Sequence, residues 1–128
     1  GSRPILRPIQ GVDPSRKGIL ISEEIAVGQS LAFAIRDGMT ARDEMQAMLA
    51  DVQRNLAGAA PGFGIYIDCT GRGQALYGAK SVDRRAIRAR FAGMPLVGMQ
   101  SSFEIAPVAQ RPRLHLFTGV LAVYGAPS

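Results

Sequence analysis

Apolar and polar positions alternate along several stretches of this chain, and in two places the alternation gives way to a three-and-four spacing that is helical. Residues Ile5 to Ile9 are apolar and extended, and Pro4 and Pro8, which cannot donate to a ladder, suit a first or edge strand. A polar turn over Gly11 to Gly18 leads to a short second strand, Ile19 to Ile21. A third strand is predicted after Gly28, where Leu31, Phe33 and Ile35 alternate with Ala32, Ala34 and Arg36. Gly38 ends it. Thr40 then reads as an N-cap with Asp43 three residues on, and Met45, Met48, Leu49, Val52 and Leu56 form the apolar stripe of a four- to five-turn helix that stops near Gly58.

In the second half, Phe63, Ile65, Ile67 and Cys69 share one face of a fourth strand, with Tyr66 and Asp68 on the other. Gly71, Gly73 and Gly78 loosen the segment that follows. Ser81-Val82-Asp83 opens a second helix with Val82, Ala86, Ile87 and Phe91 inward, ended by Gly93 and Pro95. Leu96 to Met99 form a fifth strand and Leu114 to Tyr124 a long sixth, with Leu114, Leu116, Val120 and Ala122 on one side and Phe117, Leu121 and Val123 on the other. Apolar residues on both faces mark that last strand as central. The expected fold is α+β in the order βββαβαββ, a single mixed or antiparallel sheet with two helices packed on one face. The other face must meet something else: a partner domain, a second copy of the chain, or a ligand-filled cavity.

Composition narrows the class. At 128 residues and 13.6 kDa there is material for one core, and 47% hydrophobic with 20% charged residues is ordinary for a folded module. Gly1-Ser2 has the look of a cloning scar, so residues 1–4 read as a lead-in and 5–128 as one domain cut from a longer chain. The net charge of +5 and pI of 10.1 permit an acidic partner. Yet the one basic cluster, Arg84, Arg85, Arg88 and Arg90, lies within a helix and has no aromatic residues interleaved to stack bases, which argues against nucleic acid. Cys69 is the single cysteine, so no internal disulfide forms and a cytoplasmic setting is natural. No apolar run approaches the length that spans a bilayer.

Candidate chemistry gathers at strand ends. Cys69 as a nucleophile would need His115, the one histidine, as its base; metal binding finds no ligand run, and no nucleotide-cradling motif is present. What remains is Arg36 after strand three, Thr70 and Arg72 after strand four, and Ser101, Ser102 and Glu104 after strand five. Gly71 and Gly73 flank Arg72 and let the backbone approach a ligand closely. A guanidinium and a carboxylate facing one cavity suit a zwitterion such as a free amino acid, with Arg72 taking its carboxylate and Glu104 its ammonium. The bland alternative is a salt bridge between Glu104 and Arg72. No cofactor is expected.

The order of motifs resembles the C-terminal domain of FIST proteins, a sensory module of bacterial signal-transduction proteins and of some eukaryotic F-box proteins. The likeness is carried by Leu6-Arg7-Pro8-Ile9-Gln10-Gly11-Val12-Asp13, Gly28-Gln29, Arg36-Asp37, Asp68-Cys69-Thr70-Gly71-Arg72-Gly73, Pro95-Leu96-Val97-Gly98, Glu104-Ile105-Ala106-Pro107, Leu114-His115 and Thr118. Phe103 stands where the family has glycine. The resemblance implies a non-enzymatic domain that senses small ligands such as amino acids, with Cys69, Thr70, Ser101, Ser102 and His115 lining the site around Arg72 and Glu104. It also implies an N-terminal FIST domain and an output module in the parent protein. The alternatives are a docking or dimerisation module without a small ligand, and a thiol enzyme.

Overall fold

The computed structural model describes residues 6–108 and 111–126, so Pro4 and Ile5 of the expected first strand lie outside it. The fold is mixed α+β, as the sequence predicts, but three small sheets replace the single one. The chain divides into two compact units, with the boundary between Ile35 and Arg36.

The first unit is a hairpin. Strands β1 (Ile9–Asp13) and β2 (Gly18–Ile21) pair antiparallel. The first strand therefore begins where the expected one ended, and the turn shrinks to Pro14–Lys17. Asp13 dictates this: its Oδ1 accepts from the backbone N–H groups of Ser15 (3.0 Å) and Arg16 (3.1 Å), so the chain reverses immediately after it. Leu31, Phe33 and Ile35 form no strand, and all three are exposed. Alternation describes a face that could be buried; it supplies no ladder partner.

In the second unit, helix α1 (Gly38–Asn55) starts earlier than expected because Asp37, not Thr40, is its N-cap. Its Oδ2 accepts from both the backbone N–H and the hydroxyl of Thr40, each at 2.7 Å. The predicted stripe holds, with Met45 and Leu49 buried and Met48, Val52 and Leu56 packed against them. Strand β3 (Pro61–Cys69) lies at the centre of a three-stranded sheet, parallel to β4 (Leu96–Ser101) and antiparallel to β7 (Gly119–Gly125). Between β3 and β4 run a 3-10 turn at Thr70–Arg72, the one-turn helix α2 (Gln74–Tyr77) and helix α3 (Val82–Arg90). A helical turn thus does start directly after Gly73, contrary to expectation.

The long last strand is two strands. β5 (Glu104–Val108) and β6 (Arg111–His115) form a separate hairpin, and the chain turns through Leu116–Thr118, with Phe117 at φ 61°, before β7. The strand expected to be central is therefore an edge. β3 takes that place.

The helices pack on one face of the three-stranded sheet. Tyr66, Leu121 and Val123 meet Leu49, Ile87, Phe91 and Met94, while the bulky row beginning with Phe63 faces away. Volume explains the choice. Glycines occupy the helix-facing row beside the large side chains: a Cβ on Gly64 would strike Met94 at 2.7 Å, and one on Gly119 would strike the Tyr66 ring. The opposite face is left with Phe63 at 44%, Val97 at 65% and Met99 at 64% exposure, and with Phe63 stacked on Tyr124 at 4.5 Å.

Gly98 is set by the same closeness, because a Cβ there would drive into the Tyr66 carbonyl oxygen within the parallel ladder. Gly98→Ala should destabilise the fold by about 1–3 kcal/mol, the usual range for overpacking. Urea denaturation measures this, and an unchanged midpoint would refute the close approach.

Candidate functional site

The helix-facing row of β3 ends in Tyr66 and Asp68, and the chain beyond it folds back over them. Arg72 comes from the 3-10 turn, Tyr77 from α2 and Asp83 from the first turn of α3. Tyr66, Arg72 and Tyr77 converge on Asp83. The Asp83 carboxylate, 4% exposed, accepts from the Tyr66 hydroxyl (2.7 Å), the Tyr77 hydroxyl (2.6 Å) and Arg72 Nε (2.8 Å), with Arg72 Nη2 at 3.3 Å. Arg72 Nη2 also donates to the Tyr77 hydroxyl at 2.5 Å. Both Asp83 oxygens are thereby satisfied, as a buried ion pair requires.

The electrostatics follow. Burial alone would raise the Asp83 pKa, but the hydrogen bonds from Arg72, Tyr77 and Tyr66 outweigh it and hold the carboxyl below its ordinary value. Burial pushes both tyrosines up, and the adjacent Asp83 charge pushes them further; neither ionises at physiological pH. Burial works against the Arg72 charge, and the Asp83 partner more than restores it.

This network forms one wall of a cleft of about 600 Å³. Its floor is β4, whose outer edge pairs with no strand among the described residues. Since Gly64 N–H donates to Pro95 C=O (2.8 Å), alternate residues point their backbone groups away from β3, leaving those of Leu96, Gly98 and Gln100 free at that edge. Thr70, Gly73 and Asp68 line the inner end, and Lys80, Arg84 and Arg88 line the side formed by α3 and the residues before it. Asp68 has a raised pKa, first because burial disfavours its charge and then because Asp83 and Glu104 add like charge; Gln100 and Arg72 oppose the shift in part.

The predicted site residues separate into two groups. Thr70, Arg72 and Gly73 line the cleft, with the Arg72 fork held by Asp83 and Tyr77. Of the others, Arg36, Gly71, Cys69 and Glu104 meet the turn between β6 and β7, while Ser101 ends β4, Ser102 follows it and His115 ends β6. Arg36 Nη2 donates to the Gly71 carbonyl (2.6 Å), and its guanidinium lies 4.3 Å over the Phe117 ring. Cys69 is buried, and its N–H donates to the Thr118 carbonyl at 2.9 Å. Ser101 Oγ donates to the Phe103 carbonyl (2.6 Å), and Ser102 is exposed. Glu104, 3% exposed, pairs with Thr118 Oγ1 at 2.8 Å rather than with Arg72, while its Oε1 has no partner among the described residues. His115 stands opposite Glu104 in the hairpin, with Nε2 3.3 Å from the Ala106 carbonyl. The imidazole thus bonds the backbone of its own hairpin. No group of three or more metal-ligating side chains is arranged to hold an ion among the described residues.

The sequence reading missed Asp83, Asp68 and the basic row of α3 as members of one site. Asp83 read only as part of the Ser81-Val82-Asp83 segment that opens the second helix. The available signal was a tyrosine and an arginine pointing at one buried place with no carboxylate yet assigned to it.

Comparison with known proteins decides the family. The FIST C domain model matches residues 1–107. The chain belongs to the FIST C domain family, which is associated with signal transduction and is not a known enzyme domain. It is also similar to uncharacterized proteins of Mycobacterium bovis and Mycobacterium tuberculosis, each 32% identical over 120 residues that cover 94% of this chain and 31% of the relative. The chain thus spans about a third of the length of those relatives. Cys69-Thr70-Gly71-Arg72-Gly73, Asp83 and β4 all fall within the FIST C match. Among the described residues no helix is long and apolar enough to cross a membrane.

Two stability predictions of opposite sign follow from the carboxylates. Asp83, with its lowered native pKa, contributes stability that is present above the ordinary value of 3.8 and is lost as pH falls through the native value. Asp83→Ala, which strands Arg72, should cost about 3–5 kcal/mol near neutrality, and Tyr77→Phe about 1 kcal/mol. Asp68, with its raised pKa, opposes folding once ionised, so Asp68→Asn should raise the melting temperature at pH 7 and have its effect vanish below the ordinary carboxylate value. Thermal unfolding from pH 3 to pH 8 reads both. An Asp68→Asn variant less stable at pH 7 would contradict the second.

Proposed function

We propose that this FIST C domain is a non-enzymatic, cytoplasmic sensory domain of a signal-transduction protein, and that its small ligand is amino acid-like and occupies the cleft between α3 and β4. The observation that carries this reading is that one cleft of about 600 Å³ is lined by both the Asp68 carboxylate and the cations of Lys80, Arg84 and Arg88. That volume falls in the range of small-molecule pockets. A zwitterion fits it: its ammonium against Asp68, its carboxylate against the basic side, and the free N–H groups of Gly98 and Gln100 as directional donors.

Arg72 has a different part from the one its glycine-flanked turn suggested. Its fork is engaged by Asp83 and Tyr77, so it holds the wall on which Thr70 and Asp68 are presented. Glu104 sits off the cleft lining. The ligand contacts proposed are therefore Asp68, Thr70, Lys80, Arg84, Arg88 and Gln100. Signalling requires the ligand to favour one arrangement of the parent protein over another, through a difference in affinity between the two.

A second reading, a docking surface for another domain or a second copy, is favoured by one observation: the open sheet face with Phe63, Tyr124, Val97 and Met99. The two readings use different surfaces. A thermal-shift screen of the proteinogenic amino acids should give at least one hit whose shift is lost in Asp68→Asn and in Arg88→Gln but kept in Val97→Ser. Hits that survive both cleft substitutions would misplace the site. Concentration-dependent sedimentation that Val97→Ser abolishes, with no hit in the screen, would favour the docking reading instead.

A further inference from the structure

Within that proposed ligand-binding reading, we infer that the cleft selects a ligand with two acidic groups and one ammonium, an α-amino dicarboxylate. The charges of the cleft do not cancel. Arg72 and Asp83 neutralise each other at 2.8 Å, which leaves Lys80, Arg84 and Arg88 against Asp68 alone. A simple amino acid, with one carboxylate and one ammonium, leaves that excess of positive charge in place. An acidic amino acid reduces it.

The spacing supports the count. Arg84 and Arg88, four apart within α3, stand in a row along one side of that helix, separated by a rise of about 6 Å, and Lys80, from the residues before the helix, lines the same cleft. Like charges at that spacing repel one another. The neighbouring arginines of α3 are differently placed: Arg85 Nη1 donates to the Lys80 carbonyl at 2.8 Å and Arg90 Nη1 to Gln53 at 3.1 Å. Among the described residues no carboxylate bridges Arg84 or Arg88, so the row faces the cleft with its charge uncompensated. A short aliphatic dicarboxylate bridges one such helical turn and relieves the repulsion.

Asp68 explains why the ligand is not a simple dianion. It lines the same cleft from β3, where it repels an anion and attracts an ammonium. The Arg85 contact fixes the backbone that carries Lys80, so the basic side of the cleft is partly preorganised before a ligand arrives.

Calorimetric titration of the ligand-free chain with L-glutamate, L-aspartate, L-glutamine, L-asparagine, glutarate and inorganic phosphate at fixed ionic strength tests this. One acidic amino acid should bind at least tenfold more tightly than its amide and than glutarate. Arg88→Gln should reduce it to the affinity of the amide, and Asp68→Asn should abolish its advantage over glutarate. Both side chains line an open cleft, and circular dichroism of each variant is the check that it is folded. Equal binding of an acid and its amide overturns the second acidic group while leaving the sensory reading intact. Glutarate or phosphate matching the best amino acid overturns the ammonium. Failure of every amino acid to bind, glutamate and aspartate included, overturns this inference, and a blank screen of the remaining amino acids then overturns the sensory reading as well.

Discussion

A buried carboxylate cannot remain ionised without donors, and the second unit of this FIST C domain is organised around meeting that requirement for Asp83. Its donors come from a central strand, a 3-10 turn and a one-turn helix, and Asp83 itself from a longer helix. None of the short segments is stable alone. A four-residue helix has one turn's worth of bonds, and nucleation is unfavourable at that length. The ion pair and the two hydroxyls hold Thr70–Tyr77 against the sheet, and with it the wall of the cleft. Arg42 reinforces the arrangement from α1, with Nη2 donating to the Tyr77 carbonyl at 3.1 Å and its guanidinium 5.0 Å from the ring.

A consequence of this arrangement is a division of labour between arginines. Arg72 is partly buried, paired and structural; Arg84 and Arg88 are exposed along the cleft. A guanidinium flanked by glycines attracts attention as a ligand contact, yet it is the residue whose donors are already committed. The same holds for Glu104, which is committed through one oxygen to Thr118 and lies at the turn between β6 and β7. The carboxylate that lines the cleft outside the ion pair is Asp68, whose raised pKa reflects its burial and then its neighbours Asp83 and Glu104.

Much of the local structure was legible in the sequence. The α1 stripe, the end of β3 at Cys69 and the start of α3 at Val82 are local patterns, and each appears where expected, while β3 begins two residues earlier at Pro61 and α3 ends at Arg90, short of Gly93. Pairing was not legible. Leu31, Phe33 and Ile35 alternate as a strand does but form none, and Leu114 to Tyr124 breaks at Phe117 because one half pairs with β5 and the other with β3. Which face meets the helices was not legible for a related reason: bulk on Phe63, Ile65 and Ile67 does not decide it, whereas packing of Met94 and Tyr66 requires a row with glycines. The site was half legible. Thr70, Arg72 and Gly73 announce themselves by turn chemistry, but Asp83 and the α3 row become one site only when the parallel β3–β4 crossover brings α3 over the sheet.

The central claim is that ligand recognition belongs to the cleft and that the Glu104 region shapes the fold. Backbone amide chemical-shift mapping during titration with the best-binding amino acid tests it most directly. The account predicts shifts concentrated at Asp68–Thr70, Lys80–Arg88 and Gly98–Gln100. Shifts confined to Phe103–Ala106 and His115–Thr118, with the amides of α3 unmoved, would contradict it.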